Sequence, residues 1–428
     1  MASAGTKSPP LRELTGRQIQ WILGGYAMTM ATMPGQTVFI AQFNESLRGH
    51  FDLSHGEFGG LYTIATLLSA TVLVWAGGLA DKLAPRLLAL LAVCGLALVC
   101  LTMSVQNHIV LLVLALAGLR FCGQGMLSHI AMTTMSRWFN RFRGRALSFA
   151  GFGFASGEAI FPFLVTLSIG LFGWRQVWAG TAVLLLAVIV PIIFFLLRDP
   201  PDGKRAKASG AINPDAATST TPTGLKWTRG RVLRDPLFYS IIPGIMGPPA
   251  IGTLFIFHQA HLAELKGWEL TVFTAFFPVL SVTGVAMGLA AGFLVDRFGA
   301  WRLMPVILLP MAVGCLSIGT IDAVWGIPLL LLLFGMTNGL MSPVMGALWA
   351  EIYGTAHIGA IRALAVAALV SASALGPGLA GYLVDIGVEL ELQAFFYAAY
   401  CIAGATAYLL LREAFKKRVE ETSAEAEA

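Results

Sequence analysis

The stretch Gly77-Gly78-Leu79-Ala80-Asp81-Lys82-Leu83-Ala84-Pro85-Arg86 is a short, charged, glycine-rich hairpin set between two apolar runs. A relative of it returns as Gly292-Phe293-Leu294-Val295-Asp296-Arg297-Phe298-Gly299-Ala300-Trp301-Arg302. Asp81 and Asp296 stand 215 residues apart, half the length of a 428-residue chain. A membrane loop repeated at half length points to a duplicated membrane unit.

Composition supports that frame. Hydrophobic residues make up 57% and charged residues 12%, against about 25% charged in an average soluble domain. So little charge cannot cover a soluble surface of this size, so the chain reads as a polytopic, all-α membrane protein. A crossing helix needs about 20 apolar residues. Twelve runs qualify: 18–43, 57–80, 86–105, 109–136, 146–171, 175–197, 237–262, 271–295, 301–320, 324–350, 359–384 and 391–412. The domain reading follows: a polar tail over 1–17, a six-helix half over 18–198, a linker over 199–236, a second six-helix half over 237–412, and a tail over 413–428. The linker is rich in Ala, Thr, Ser and Pro, a composition that cannot build a core of its own. The N-terminal tail has no apolar core or small-residue cleavage site and does not read as a signal peptide.

Charge sets the orientation. Arg48, Arg175 and Lys266 are the basic residues in one set of loops, and Arg120 lies inside a run. All the other Lys and Arg fall in the tails and in the alternate loops. The positive-inside rule puts both termini in the cytosol of a cell whose cytoplasmic (inner) membrane holds the protein. The net charge of +5 is therefore a topology signal and excludes a nucleic-acid footprint as its cause. Five cysteines, Cys94, Cys100, Cys122, Cys315 and Cys401, all sit in apolar runs without a C-x-x-C pair and read as small apolar residues.

The repeat extends past the hairpin. Thr37-Val-Phe-Ile-Ala-Gln42 aligns with Thr253-Leu-Phe-Ile-Phe-His258, Gln124-Gly125-Met126 with Asn338-Gly339-Leu340, and Arg145-Ala146-Leu147 with Arg362-Ala363-Leu364, all at nearly one offset. The halves are parallel repeats related by an axis along the membrane normal. Twelve helices, the 6+6 split and the doubled G-x-L-x-D-[RK]-x-G-x-[RK]-like loop resemble the major facilitator superfamily over nearly the whole chain. The second copy fits the pattern; the first departs from it at Ala84, where the family usually has Gly, and at Pro85. The resemblance implies a gate made of Gly77, Asp81, Arg86, Gly292, Asp296, Arg297 and Gly299, with Asp81 near Arg137 or Arg141, and a monomeric assembly. Arg143-Gly-Arg145-Ala and the small-residue helix after it resemble monocarboxylate and oxalate:formate-type carriers. Arg120-Phe-Cys-Gly-Gln124-Gly125 resembles the helix-4 motif linked to proton coupling in the superfamily's drug exporters. The Gly-Pro step of the drug:proton antiporters is absent from the fifth run.

Two ionisable residues fall near mid-depth, where charge is costly and so points to function. Arg120 is about 15 Å into the fourth run, and Glu158 about 18 Å into the fifth, at about 1.5 Å per residue. They are expected within reach of each other, Arg120 as a bidentate fork for an anion and Glu158 as its partner or a proton carrier. A structural ion pair between helices is the alternative. Proline breaks are expected in runs 1 and 7, at Pro34-Gly35, Pro243-Gly244 and Pro248-Pro249, and such breaks mark pockets in carriers of this kind. They bring forward Gln36 as a pocket residue and His258, with His261, as a pocket or outer-gate residue. Gln124 and its repeat counterpart Asn338 complete the set. His129, Tyr26, Trp349 and Tyr353 read as packing or interfacial residues.

No phosphate-binding loop and no metal-spaced His/Cys set occurs, so no enzyme, cofactor or metal is expected. The reading is a secondary transporter moving a small organic solute, an anion such as a monocarboxylate, with a proton by symport. Proton-driven export of drugs or metabolites is the alternative, and a non-transporting solute sensor is a third.

Overall fold

The computed structural model describes residues 15–139, 142–198 and 227–427, with backbone alone for Asp81 and residues 423–427. The tail before Thr15, Arg141 and the linker residues 199–226 lie outside the described residues. Among the described residues the chain is helical and has no strand.

Eleven helices are long and apolar enough to cross a membrane: α2 (His55–Ala76), α3 (Pro85–Val105), α4 (Ile109–Trp138), α5 (Arg143–Phe172), α6 (Trp174–Leu196), α7 (Pro236–Phe257), α8 (Leu270–Phe298), α9 (Ala300–Thr320), α10 (Gly326–Tyr353), α11 (Ile358–Asp385) and α12 (Leu390–Leu410). The twelfth crossing is the first run, α1. It begins as Gly16–Met30 under a capping box between Thr15 and Gln18, then breaks into a turn at Met33–Gly35 and short pieces reaching Phe43. The break follows from sequence: Pro34 has no N–H to donate, and Gln36 turns extended at φ −85°, ψ 148°. A Cβ on Gly35 would run into the Leu119 carbonyl and Gly123 of α4, so only glycine lets the broken segment lie this close to α4. The chain thus forms two six-helix halves, α1–α6 and α7–α12. We call the side holding the start of α1 and the end of α12 the terminal face, and the opposite side the far face.

Run 7 departs from expectation. Its prolines, Pro243, Pro248 and Pro249, sit inside one continuous helix, and the break comes later, at His258. Neighbours take up carbonyls in the proline-rich stretch: the Tyr400 and Tyr408 hydroxyls of α12 donate to the carbonyls of Pro243 and Ile241, each at 2.5 Å. Such outside donors let a membrane helix keep its course through proline.

Small residues set the packing. On α5, a Cβ at Gly153 would collide with the Tyr26 carbonyl and one at Gly157 with Met33, while Thr29 donates to the Ala150 carbonyl. On α10, Gly335 and Gly339 lie against backbone of α8. Close approach through glycine is how membrane helices gain contact without a hydrophobic drive between them. Of the cysteines, Cys100, Cys315 and Cys401 are buried, but Cys94 is exposed on α3.

The halves meet at α2–α11 and α5–α8. Near the far face the α2–α11 contact is backbone to backbone, with Gly59 against Pro377 and Gly381 against His55. Toward the terminal face the halves part around a chamber.

A last helix, α13 (Arg412–Glu427), clamps the terminal face of the second half. Phe415 is fully buried, and Arg418 donates to Asp235 at 2.7 Å while lying 4.4 Å over the Trp227 ring. Tyr353, buried and stacked beside Trp349, donates to the same carboxylate at 2.9 Å. Burial alone would push the Asp235 carboxyl up; the bonds from Arg418, Tyr353 and the Leu237 N–H outweigh it and hold the group below the usual carboxylate range. A depressed carboxyl contributes fully above its ordinary value of about 3.9 and loses that contribution as pH falls through its folded value. Arg418→Ala leaves this carboxylate buried without its cation, which costs about 3 kcal/mol. The expected result is a melting temperature several degrees lower at pH 7, largely restored by adding Asp235→Asn.

Candidate functional site

Two adjoining cavities lie between the halves at mid-depth. The smaller, about 140 Å³, is lined by Gln36 and Thr37 of α1, Glu158 of α5, Pro248, Pro249 and Thr253 of α7, and Asn338 of α10. The larger, about 890 Å³, shares Glu158, Pro248, Pro249 and Asn338 and runs toward the terminal face past Ser281, Trp349 and Arg362. Together they form one chamber. Its lining is mostly apolar and small, and its charged members are Glu158 at the deep end and Arg362 at the wide end.

Of the residues singled out from sequence, Gln36, Glu158 and Asn338 line this chamber. Glu158 accepts a bond from Ser281 of α8 at 3.2 Å, so its carboxylate joins the two halves. Gln36 is buried and donates to Thr32 at 3.2 Å.

Arg120 and Glu158 do not pair. Arg120, 3% exposed, donates through Nη1 to the Gly35 carbonyl and to Thr37 Oγ1, both at 3.3 Å, and its guanidinium lies 5.3 Å from the Tyr62 ring centre. Its Nε is buried without an acceptor, and no carboxylate among the described residues pairs with it. Counting along helices gave both residues the right depth but not their azimuth. The segment Arg120–Leu127 is π-helical, which resets the helical face from Arg120 onward, and the guanidinium is held on α1. Thr37, bonded to Arg120 and at 2.7 Å to Tyr62, is itself a chamber residue. Arg120 therefore stands one hydrogen bond behind the chamber wall. Gln124 lies in the same π-helical segment, with its backbone N against Gly35, and does not line the chamber.

His258 lies elsewhere. It is 1% exposed at the far end of α7, where its Nε2 is 2.9 Å from the Pro377 carbonyl of α11. His129 bonds the Gly77 carbonyl at 3.2 Å.

The two hairpin copies differ in ways their sequences explain. Gly299 takes φ +81°, a conformation open to glycine, and Glu351 caps the start of α9 by accepting from Ala300 N at 2.8 Å and Trp301 N at 3.2 Å. Arg297 lies 5.4 Å over Phe298, and Asp296 makes no hydrogen bond or ion pair among the described residues. The equivalent Ala84 sits at φ −60°, ψ 131° before Pro85 at the helix start, so it has no need of glycine. Near Gly77, Arg137 donates to the Ala80 carbonyl at 2.7 Å, and Arg86 stacks 3.7 Å over Phe194 of α6. The Asp81 side chain and Arg141, and so their expected pairing, lie outside the described residues.

Sequence reasoning missed Ser281, Tyr62 and Thr253 as site residues. The repeat held a signal for Thr253: its counterpart Thr37 lines the same cavity, and Thr253 is bonded to Ser373 at 2.8 Å. Ser281 and Tyr62 carried no signal, since neither lies in a repeated motif.

Comparison with known proteins agrees with this architecture. The profile of the Major Facilitator Superfamily matches residues 21–367. The MFS transporter asaE of Aspergillus flavus is 24% identical over 55% of this chain, a match that spans 50% of that protein's length. The multidrug resistance protein MdtG of Salmonella paratyphi C is 25% identical over 79% of this chain and 80% of its own. The oxalate:formate antiporter of Oxalobacter formigenes is 24% identical over 69% and 66%. Among solved structures, that of the nucleoside transporter NupG superposes with a TM-score of 0.70 at 13% identity, covering 93% of this chain and 99% of that one, which speaks for the fold alone.

Proposed function

Since the chain belongs to the Major Facilitator Superfamily, and is a transporter of small solutes rather than an enzyme, we propose that it carries a small organic anion coupled to a proton. The observation that carries this reading is Arg120. A buried guanidinium with a bare Nε and no counter-ion among the described residues is costly, and the cost is offset when an anion arrives. Thr37 relays its field into the chamber: a solute carboxylate entering beside Gln36 and Thr37 would accept from the Thr37 hydroxyl, whose oxygen already accepts from Arg120. Glu158 is the proton carrier: it can be neutral or charged, and its bond to Ser281 ties that choice to the contact between halves.

The same reading takes residues 18–198 and 237–412 as the moving halves, 199–236 as the linker, and the protein as a monomer. Basic residues on the terminal face make that face cytosolic in the cytoplasmic membrane. The chamber then opens to the cytosol, and the far face is the closed outer side.

A second reading, export of amphiphilic compounds, is favoured by the size and apolar lining of the larger cavity, which falls in the range of drug-sized pockets, and by the likeness to MdtG. A panel of ligands separates the two. A small carboxylate at 100 times its dissociation constant is expected to stabilise the purified protein by about 2.7 kcal/mol, which a melting shift detects. If lipophilic cations or neutral drugs shift the protein and carboxylates do not, the anion reading fails and export replaces it.

A further inference from the structure

We propose that the seal on the far face is a proton-binding site, in which His258 must be neutral for the two halves to close. The proposal stands apart from the choice of solute; that this face is the outer one rests on the orientation given above.

The layer contains three imidazoles from both halves. His55 opens α2 in the first half, and its ring centre lies 4.2 Å from that of His261 and 5.8 Å from that of His258, both in the second half. The Pro377 carbonyl can only accept, so His258 Nε2 carries the hydrogen of their 2.9 Å bond and Nδ1 holds the lone pair. That Nδ1 is buried and has no hydrogen-bond partner, and the same is true of the Nδ1 atoms of His55 and of His261, the last lying 3.9 Å from the Glu264 carboxylate. A second proton on His258 would therefore have to sit at an enclosed nitrogen that nothing accepts from.

The neighbouring acids are already engaged. Asp385, at the end of α11, accepts from Ser54 Oγ at 2.6 Å, His55 N at 3.1 Å and Gly56 N at 2.8 Å, capping the start of α2. Glu389, leading into α12, accepts from His261 Nε2 at 3.0 Å. Glu57 of α2 caps Ser54, and Glu264 is largely exposed and 3.9 Å from His261. On the segment Asn44–Phe51, Arg48 adds positive charge toward the histidines, with Glu45 beside it. A proton on His258 would thus place a buried cation beside two imidazoles and Arg48, a penalty paid in the closed state alone.

When the halves separate, the ring meets water and titrates near its ordinary value of about 6.5. If the closed state excludes the second proton, the ratio of open to closed seal rises about thirtyfold between pH 7.5 and pH 5.0. The sign is fixed: acid opens the seal.

The test uses the full chain in lipid nanodiscs with Cys94→Ser, and spin labels at His108→Cys and Val324→Cys in far-face loops of the two halves. Glu158→Gln is included so that the chamber carboxylate cannot supply the response. Distance distributions are measured at pH 7.5 and pH 5.0. The expected result is a rise in the long-distance population of about thirtyfold with His258 present. Both proteins also carry His55→Gln and His261→Gln, so that His258 is the one imidazole left in the layer; with His258→Gln, whose amide can still donate to Pro377 but takes no proton, the rise falls below threefold. An unchanged ratio in the His258 protein overturns the proposal, as does a full response in His258→Gln. Where that variant does not fold, the His258 protein's own response still decides. A negative result leaves the reading of Arg120 and Glu158 standing, because Glu158 is already removed and no solute is present.

Discussion

Glu158→Gln is expected to abolish proton-driven accumulation of solute, by on the order of a hundredfold, while leaving solute exchange between the two sides intact. Glu158 is the carboxylate of the chamber, and the amide is nearly the same size. Its carbonyl oxygen can still accept from Ser281, which bonds Glu158 at 3.2 Å, so the tie between α5 and α8 survives while the titrating group is lost. An intramembrane carboxyl that only held helices together would lose little on this change, whereas one that carries the proton loses the coupling. Proteoliposomes loaded with solute separate the outcomes: exchange needs no net proton movement, and accumulation under an imposed pH gradient does. Full accumulation in Glu158→Gln sinks the assignment. Loss of both exchange and accumulation assigns Glu158 to solute binding instead.

Arg120→Ala should weaken carboxylate binding by about tenfold to a hundredfold, since one charge-assisted hydrogen bond contributes about 1.5–3 kcal/mol and Arg120 acts on the chamber through the single bond to Thr37. The same change should leave thermal stability of the empty protein unchanged or raised. Removing a buried charge that has no counter-ion among the described residues relieves a penalty, whereas removing one partner of a structural pair would cost about 3–5 kcal/mol. Arg120→Lys keeps the charge without the planar fork and should recover part of the affinity. A fall in melting temperature together with unaltered binding would make Arg120 a packing residue of the α1–α4 contact, and the anion reading would go with it.

Much of the architecture was legible because the membrane imposes it. Twelve apolar runs and the doubled hairpin each report a constraint that acts locally along the chain. Gln36, Glu158 and Asn338 reached the chamber for the same reason: a break, a mid-depth charge and a repeat position are local signals. Arg120 was placed at the right depth and in the wrong company, because a π-helical segment is invisible to a count of 3.6 residues per turn. The prolines of α7 misled for a related reason. Whether they break a helix depends on donors elsewhere, and Tyr400 and Tyr408 arrive from α12. Asp385 drew no attention in the sequence, since its three donors lie about 330 residues away on α2. The docking of α13 was equally hidden, for its helix is polar on most sides and a narrow edge of Phe415, Arg418, Val419 and Thr422 makes the contact.

That C-terminal helix bears on how the molecule can move. Arg418 reaches Trp227 and Asp235 just before α7, and Thr422 donates to the Ile352 carbonyl at the end of α10. One strut therefore braces the entry of the first helix of the second half against the exit of its fourth. A bundle braced in this way is expected to turn as a rigid lever, with its terminal-face rim keeping one shape. Bending is then left to the other half, where α1 is already broken at Pro34 and α4 is already π-helical from Arg120.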